Sequence, residues 1–497
     1  MSDIKKLAGQ TAVYGIPTIV GRFLNYFLVP LYTYNIATQD YGMVSELYAY
    51  VAFLMILLTY GMETAFFRFS QDYDKNKVFN TAMLSLLSST ALFLLVTFLC
   101  LKPITSALEY QEHPSYIVLF LLILAIDALK AIPFALLRRE NKPKRFALIK
   151  TTDIFSNIIF NIFFIAICPA LYKNGNALVV SWFNANDLVF YIFLSNLLAS
   201  GIAMLLLLPE YKTFRFDFDK KLFKKMLSYG FPVMIGGLAG MVNETFDRIA
   251  LKHLVSVPEG ITSAKEIADW KMSQIGIYGA CYKLSIIISL FIQAFKFAAE
   301  PFFFSKMKKA DAKQSYSSVM TAFVLFLSLI FLVVMGYIDL FQYFMGKDYR
   351  VGIMVVPILL MANIFLGIYY NLSIWYKVTD KTKWGAIIAL IGAAITLVGN
   401  AILVPQMNYM GAAITTLICY IAIAVICYLV GQKYYPVAYN VKRCMFYILF
   451  ALGLYFVGNI ARNNLSLVPT LAINSVLIVI FLCVAYKLDI KRMIKER

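Results

Sequence analysis

The sequence predicts an all-α polytopic membrane protein with about fourteen transmembrane helices. Of its 497 residues, 61% are hydrophobic and 14% are charged, whereas a soluble domain is about half apolar and a quarter charged. The apolar stretches run for about 20 residues, the length with which a helix crosses the hydrocarbon core. They lack the strict alternation of barrel strands, so helices are predicted.

A hydropathy window of about 19 residues divides the chain into fourteen spans. The loops between them are short, the longest being near 209–227 and 255–273, so no soluble domain is predicted. The spans are predicted near 10–34, 43–66, 80–101, 116–138, 147–171, 187–208, 228–254, 274–298, 315–337, 351–376, 384–406, 410–431, 444–461 and 467–486.

Positive charge is distributed unevenly between the loops on the two sides of the predicted bundle. The terminal segments and loops on the side of the N-terminus hold 31 of the 45 Lys and Arg residues, and the opposite loops hold 8. Because positively charged loops stay in the cytoplasm, the asymmetry predicts that both termini are cytoplasmic. An even number of spans requires both termini to lie on one side, so count and orientation support each other.

Two six-helix halves are predicted from a short internal repeat. YGIP at 14–17 opens the first span and YGFP at 229–232 opens the seventh, while YG at 41–42 and 278–279 lies near the starts of the second and eighth. Parallel repeats of this kind are related by a pseudo-twofold axis along the membrane normal and are typical of alternating-access transporters. The predicted organisation is an N-terminal lobe at 1–208, a basic linker at 209–227, a C-terminal lobe at 228–431, and two further helices with a basic tail at 432–497.

Charged side chains within the predicted spans are the main functional signal, because a charge in the bilayer interior usually faces a cavity or a partner. Residues three or four apart share a helix face, so acids at that spacing indicate local neutralisation as the alternative to a binding role. The basic residues are Arg22, Lys130, Lys150, Arg248, Lys283 and Lys296. The acids near four of them are Asp127 for Lys130, Asp153 for Lys150, Glu244 and Asp247 for Arg248, and Glu300 for Lys296.

Arg22 and Lys283 have no acid on their own helix face. Arg22 lies about 18 Å into the first span, and Lys283 lies well inside the eighth. One interpretation is that each pairs with an acid of another helix, such as Asp127. The other is a cationic cavity for an anion, and pyrophosphate suits it because the guanidinium fork donates two hydrogen bonds to phosphate oxygens.

Three further residues have candidate roles beside those cations. Glu46, at the start of the second span, is either an interface residue or a cavity acid. Pro17 and Pro232 occupy corresponding places in the first and seventh spans. Proline frees a backbone carbonyl and can kink a helix, so the two prolines are either structural or hinges.

Several classes of protein are disfavoured by what the sequence contains. Its net charge of +18 is spread over short loops, so a nucleic-acid partner is not expected. It has no GxxxxGK[ST] motif for an ATP-driven pump. With two histidines and seven scattered cysteines, we expect neither a metal site nor a cofactor. An ion gradient is left open as an energy source, with no ion indicated.

The N-terminal segments resemble those of a known family. LAGQTAVYG at 7–15, GRFLN at 21–25, LVPLYT at 28–33, YGMETAFFRF at 60–69 and DR at 247–248 are similar to sequences of polysaccharide-biosynthesis flippases. These are the O-antigen and capsule repeat-unit translocases of the multidrug/oligosaccharidyl-lipid/polysaccharide exporter superfamily.

The resemblance implies a V-shaped alternating-access protein of the bacterial inner membrane. It would flip an undecaprenyl-pyrophosphate-linked oligosaccharide of O-antigen, capsule or exopolysaccharide from the cytoplasmic to the periplasmic leaflet. Arg22 matches the position of a basic residue in the family's cationic cavity. The implied partners are the lipid-linked oligosaccharide, membrane lipids, and the polymerase and glycosyltransferases of the same assembly.

Three alternatives accompany this interpretation. A multidrug exporter of the same superfamily would bind cationic drugs and should place carboxylates, rather than Arg and Lys, at mid-membrane. A lipid II flippase would share the cationic cavity. A membrane enzyme such as a polymerase would need a long loop carrying carboxylates, and the sequence has none, so we expect a protein that is not an enzyme.

Overall fold

The computed structural model describes residues 20–21, 23–306 and 311–491 of the chain. Within those ranges every regular element is helical, and thirteen helices are long and apolar enough to cross a membrane. Residues 10–19 and 22 of the first predicted span lie outside the described residues, and its described end includes a short helix at Leu28–Thr33. The predicted fold class, an all-α polytopic membrane protein, is confirmed.

The helices follow the fourteen predicted spans in order, and each takes the number of its span. The first is the short described end of the first span. They are α1 (Leu28–Thr33), α2 (Thr38–Phe69), α3 (Lys75–Leu99), α4 (Pro114–Arg139), α5 (Pro143–Lys173), α6 (Leu188–Tyr211), α7 (Lys220–Leu254), α8 (Ala264–Lys306), α9 (Ala312–Gly336), α10 (Lys347–Val378), α11 (Lys383–Met407), α12 (Tyr409–Tyr434), α13 (Val441–Asn464) and α14 (Leu467–Ile490). Short helices at Leu101–Ala107, Ala177–Val180, Ile338–Phe341 and Gln342–Phe344 lie in the connections.

Helix α2 is interrupted within its span. Tyr60 (φ 30°) and Gly61 (φ 74°) are both left-handed, so α2 consists of two helices, Thr38–Thr59 and Met62–Phe69. The amide of Tyr60 still donates to the carbonyl of Ile56 at 2.9 Å, and that of Ala65 to the carbonyl of Gly61 at 3.0 Å. Two left-handed residues in succession cannot continue a right-handed helix, so the helix is broken here. Gly61 adopts this conformation without a steric cost, and Tyr60 does not.

Other helices change their winding along their length. Helix α5 contains a π-helical turn at Phe163–Ile167, and α14 ends in one at Tyr486–Ile490. Helix α10 begins as a 3-10 helix at Lys347–Val355, continues as Val356–Leu372 and ends with Ile374–Val378. Helices α7 and α8 are longer than the apolar stretches that predicted them, because polar helical turns precede the apolar part of each.

The described chain forms two compact units. One extends to His253 and also contains Val257–Gly276, and the other contains Leu254–Ser256 and resumes at Ile277. In the first unit α4 packs against α2, α3, α5 and α6. In the second, α12 packs against α10 and α11, and α9 against α13 and α14. The lobes were predicted from the sequence repeat, whereas the two units are defined by contacts within the structure. The units therefore do not test the predicted lobe boundaries, which stay predictions.

The core of the first unit explains why it includes most of α7. Met62 and Phe66 of α2, Phe79 of α3 and Ile132 of α4 are buried together with Met226 of α7. A second cluster joins Phe134 of α4, Phe146 of α5 and Leu207 of α6. The start of α7 thus packs on the helices that precede it in the chain.

Candidate functional site

The structure locates most of the predicted site residues on four helices. Arg22 and Pro17 lie outside the described residues, so their predicted roles stay predictions. The others are Glu46 on α2, Asp127 and Lys130 on α4, Pro232, Glu244, Asp247 and Arg248 on α7, and Lys283 on α8. Pro232 lies inside a continuous helix, which leaves its predicted hinge role untested.

Lys130 is the centre of a cluster of polar side chains from three helices. Its ammonium lies 2.7 Å from the Asp127 carboxylate, one turn earlier on α4, and 3.6 Å from the Asp153 carboxylate of α5. It also donates to the Ser200 hydroxyl of α6 at 2.8 Å, which in turn donates to Asp127 at 2.5 Å. The Lys130 side chain is 5% exposed, so its charge depends on these partners.

The local pair predicted for Lys150 takes a different form. Asp153 contacts Lys130, while the Lys150 ammonium lies 4.3 Å from the centroid of the Phe134 ring. A cation over an aromatic face is attracted by the negative face of the ring. The two lysines and the two aspartates carry equal and opposite charge, so the cluster as a whole is neutral.

Arg248 on α7 pairs with acids and carbonyls of its own helix. Its guanidinium lies 3.0 Å from the Asp247 carboxylate and donates to the backbone carbonyl of Glu244 at 3.2 Å. Asp247 is buried, while Glu244 is exposed. Local charge neutralisation, which the sequence offered as the alternative to a binding role, is therefore present at both Arg248 and Lys130.

Among the residues that the structure describes, the most deeply buried ion pair joins Glu46 on α2 to Lys252 on α7. Their side chains are 0% and 1% exposed, and Lys252 Nζ lies 3.0 Å from Glu46 Oε1. The Tyr110 hydroxyl donates to Glu46 Oε2 at 2.8 Å, and Lys252 donates to the carbonyl of Leu108 at 2.5 Å. The Lys252 ammonium also lies 5.0 Å from the centroid of the Tyr110 ring.

Glycines bring the backbones around this pair close together. A β-carbon on Gly42 of α2 would collide with the backbone of Met272, and one on Gly276 would collide with the carbonyl of Thr38. The hydroxyls of Thr38 and Ser273 are 2.7 Å apart. The start of α2 is therefore fixed against both α7 and the start of α8.

Residues 7–307 match the family described as polysaccharide biosynthesis protein. The match covers three-fifths of the chain, and it includes the segments on which the resemblance was based. The chain belongs to this family. The predicted family relationship is confirmed, and no curated protein sequence matches the chain.

The solved structures that share the fold of this chain include a lipid II flippase and MATE transporters. The lipid II flippase MurJ in an inward closed conformation has a TM-score of 0.71 at 15% identity, covering 95% of this chain and 98% of the flippase. An inward-facing multidrug resistance MATE family transporter of the MOP superfamily has a TM-score of 0.53 at 13% identity, covering 87% and 94%. The Vibrio cholerae MATE transporter VcmN in the bent form has a TM-score of 0.51 at 14% identity, covering 87% and 98%.

Lys283 and Lys296 lie in the second unit. Lys283 is half-buried on α8. The Lys296 ammonium lies 3.9 Å from the centroid of the Tyr370 ring of α10, and the side chain of its predicted partner Glu300 is outside those described. The Lys130 cluster belongs to the first unit, and Lys283 and Lys296 of the second unit are both partly buried.

Sequence reasoning missed two features of the site. Lys252 lies near the end of the seventh predicted span and was not among the candidate cations, yet the structure buries it in α7. The sequence also did not show which tyrosines bond to polar groups within the spans. Tyr48 accepts from the Asn196 amide at 2.6 Å, and the Tyr32 hydroxyl donates to Asn161 at 2.8 Å. An asparagine within an apolar span needs a hydrogen-bond partner, and this could have indicated both tyrosines.

Proposed function

We propose that this protein flips an undecaprenyl-pyrophosphate-linked oligosaccharide by alternating access. Its cargo would be a repeat unit of O-antigen, capsule or exopolysaccharide. The observation that carries the proposal is the fold, which agrees with that of a lipid II flippase over 95% of the chain at a TM-score of 0.71. Membership of a polysaccharide-biosynthesis family supports a glycan as the moving group.

In this proposal, the Lys and Arg side chains within the spans bind the pyrophosphate. Arg22 and Lys283 are the principal ligands in this proposal, because neither has an acid on its own helix face in the sequence. Lys130 and Arg248 are further ligands in this proposal, and Asp127 and Asp247 fix their positions through ion pairs. The sugars occupy the aqueous path, and the lipid tail stays in the bilayer.

The carboxylates in the spans weigh against a multidrug exporter. Cationic drugs would need acids that are available to them. Of the predicted cavity acids in the first unit, three are paired and one is exposed: Asp127 pairs with Lys130, Glu46 with Lys252 and Asp247 with Arg248, while Glu244 is exposed. The TM-scores of the two MATE transporters are 0.53 and 0.51, lower than the 0.71 of the lipid II flippase. Transport of an anionic lipid-linked glycan therefore has the stronger support.

The proposed location is the bacterial inner membrane, with both termini in the cytoplasm. The excess of Lys and Arg on the loops of the N-terminal side supports this orientation. The cargo would be delivered by glycosyltransferases on the cytoplasmic face and taken over by a polymerase on the periplasmic face. Its direction of movement requires differential binding between the two states or an ion gradient.

The proposal is tested in cells in which the chromosomal gene is replaced by variants. Loss of the gene is expected to remove surface polysaccharide and to leave finished lipid-linked repeat units on the inner leaflet. R22A and K283A are expected to lower export at least about tenfold, because one lost charged hydrogen bond of roughly 1.5–3 kcal/mol corresponds to that factor. The measurements are surface polysaccharide and radiolabelled lipid-linked intermediates at matched protein levels.

R22K and K283R are the matched controls, since they keep the charge while changing the geometry. They are expected to retain more export than the alanine variants. Normal export by R22A and K283A at wild-type protein levels would disprove the cationic site but not the flippase. If loss of the gene leaves the lipid-linked intermediates unchanged, the flippase itself is wrong.

A further inference from the structure

The connector between α6 and α7, residues 212–219, is short and rigidly attached. Its eight residues span at most about 28 Å even when extended, and they join two membrane-crossing helices, so the connector stays close to the bilayer surface. The amide of Arg215 donates to the buried Asn80 of α3 at 3.0 Å, and the amide of Asp219 to the buried Thr81 at 3.3 Å.

An ion pair and a helix cap complete the attachment. The Asp219 carboxylate lies 2.8 Å from the Lys77 ammonium and accepts from the amide of Leu222 at 2.9 Å, at the start of α7. These hydrogen bonds lower the pKa of Asp219 to about 2, with Lys77 as the largest cause. The carboxylate therefore stays ionised, and the connector holds its shape, throughout the physiological range of pH.

This fixed connector presents aromatic rings outward. Phe216 is 88% exposed, more than any other large hydrophobic side chain among the described residues, and Phe218 is 45% exposed. The Phe214 ring packs on the core of the first unit and contacts the Phe216 ring edge-on, with centroids 5.1 Å apart. A rigid loop that displays a large apolar ring beside a membrane is expected to place that ring among the lipids.

The connector and the first two turns of α7 together form a strongly basic stretch. Between 212 and 225 the chain has six cations and two acids, a net charge of +4, and one of the acids is Asp219, which Lys77 neutralises. The six cations are exposed at the surface: Lys212, Arg215, Lys220, Lys221, Lys224 and Lys225. Clusters of this kind beside a membrane span attract anionic lipid headgroups.

We propose that the connector is a membrane anchor that recognises anionic phospholipid. Phe216 inserts into the boundary between headgroups and acyl chains, and the surrounding Lys and Arg side chains bind the phosphates of anionic lipids. Bulk lipid satisfies both the apolar ring and the surrounding charge. A soluble protein partner would have to offer an apolar pocket ringed by acids.

The test uses F216W in the full-length protein, reconstituted into vesicles of phosphatidylcholine with or without phosphatidylglycerol. Both vesicles contain phosphatidylcholine brominated near the headgroup, and the emission of the four native Trp residues is subtracted using the wild-type protein. The emission added by F216W is expected to be quenched about twofold more in the anionic vesicles. Adding K220Q, K221Q and K224Q to F216W is expected to abolish that difference.

The matched control carries K144Q, K383Q and K442Q, which remove the same charge from three exposed lysines in the first turns of α5, α11 and α13. It is expected to keep the preference for anionic vesicles. Emission that bromine does not quench in either vesicle would show that Phe216 lies outside the lipid and would overturn the proposal. So would equal quenching in the two vesicles, or an equal effect of the two triple variants. No lipid-linked glycan is used, so the result is independent of the proposed transport.

Discussion

At the scale of single residues, the Glu46–Lys252 pair is expected to be the most sensitive ionic contact in the first unit. Both side chains are fully buried, so removing one charge leaves the other without compensation. We expect K252M to lower the free energy of unfolding by about 3–5 kcal/mol. The double variant E46Q/K252M should lose less, because the amide still accepts from Tyr110. Unfolding in mixed micelles measures both values.

The matched control for this pair is the ion pair of Arg68 and Asp72, whose side chains are 50% and 53% exposed. Water screens such a pair, and we expect R68M to cost less than about 1 kcal/mol. If K252M costs no more than R68M, then burial does not make the Glu46–Lys252 pair important.

The residue contacts differ in how far the sequence could predict them. Asp127 and Lys130 are three residues apart on one helix, so their pairing followed from helix geometry alone. Asp153 reaches the same cluster from another helix, and spacing along α5 suggested Lys150 as its partner instead. Glu46 and Lys252 are separated by 206 residues, and only the packing of α2 on α7 brings them together.

At the scale of elements, the break in α2 is expected to depend on Gly61. Gly61 has φ 74°, and a β-carbon there would collide with the backbone of Gly230 on α7. We expect G61A to destabilise the protein through two effects, about 1 kcal/mol for the left-handed backbone and a further 1–3 kcal/mol for the collision. Thermal unfolding and the yield of monodisperse protein measure the loss.

G175A separates those two effects. Gly175 also has a positive φ, 69°, but no atom lies within 4 Å of the place where its β-carbon would be. We expect this variant to show only the smaller backbone cost. Equal stability of G61A and G175A would contradict a role for close packing between α2 and α7.

Elements were predicted better than contacts because a span is defined by its own residues. Apolar length alone located the thirteen long helices of the described chain. The break at Tyr60 and Gly61 was missed, since a hydropathy window averages over both residues and predicts one span at 43–66. The extra turns of α7 and α8 were missed because they are polar. Hydropathy detects the part of a helix that lies in the membrane and does not detect helical turns outside it.

At the scale of the whole molecule, the orientation is open to a direct test. A fusion of green fluorescent protein to the C-terminus is expected to fluoresce, because the C-terminus is proposed to be cytoplasmic. Alkaline phosphatase inserted after Lys173 is expected to be active, and phosphatase inserted after Lys142 inactive. The reverse pattern of activities would place the termini in the periplasm and contradict the charge argument.

The separation of Glu46 from Lys252 has a consequence for biosynthesis. Asp127 and Lys130 enter the membrane together on one helix and can neutralise each other at once. Glu46 leaves the ribosome 206 residues before Lys252, a delay of about 10–40 s at usual rates of translation. During that interval the half-made protein carries an acid whose basic partner does not yet exist. We therefore expect the partly synthesised protein to be most susceptible to membrane proteases before α7 has been made.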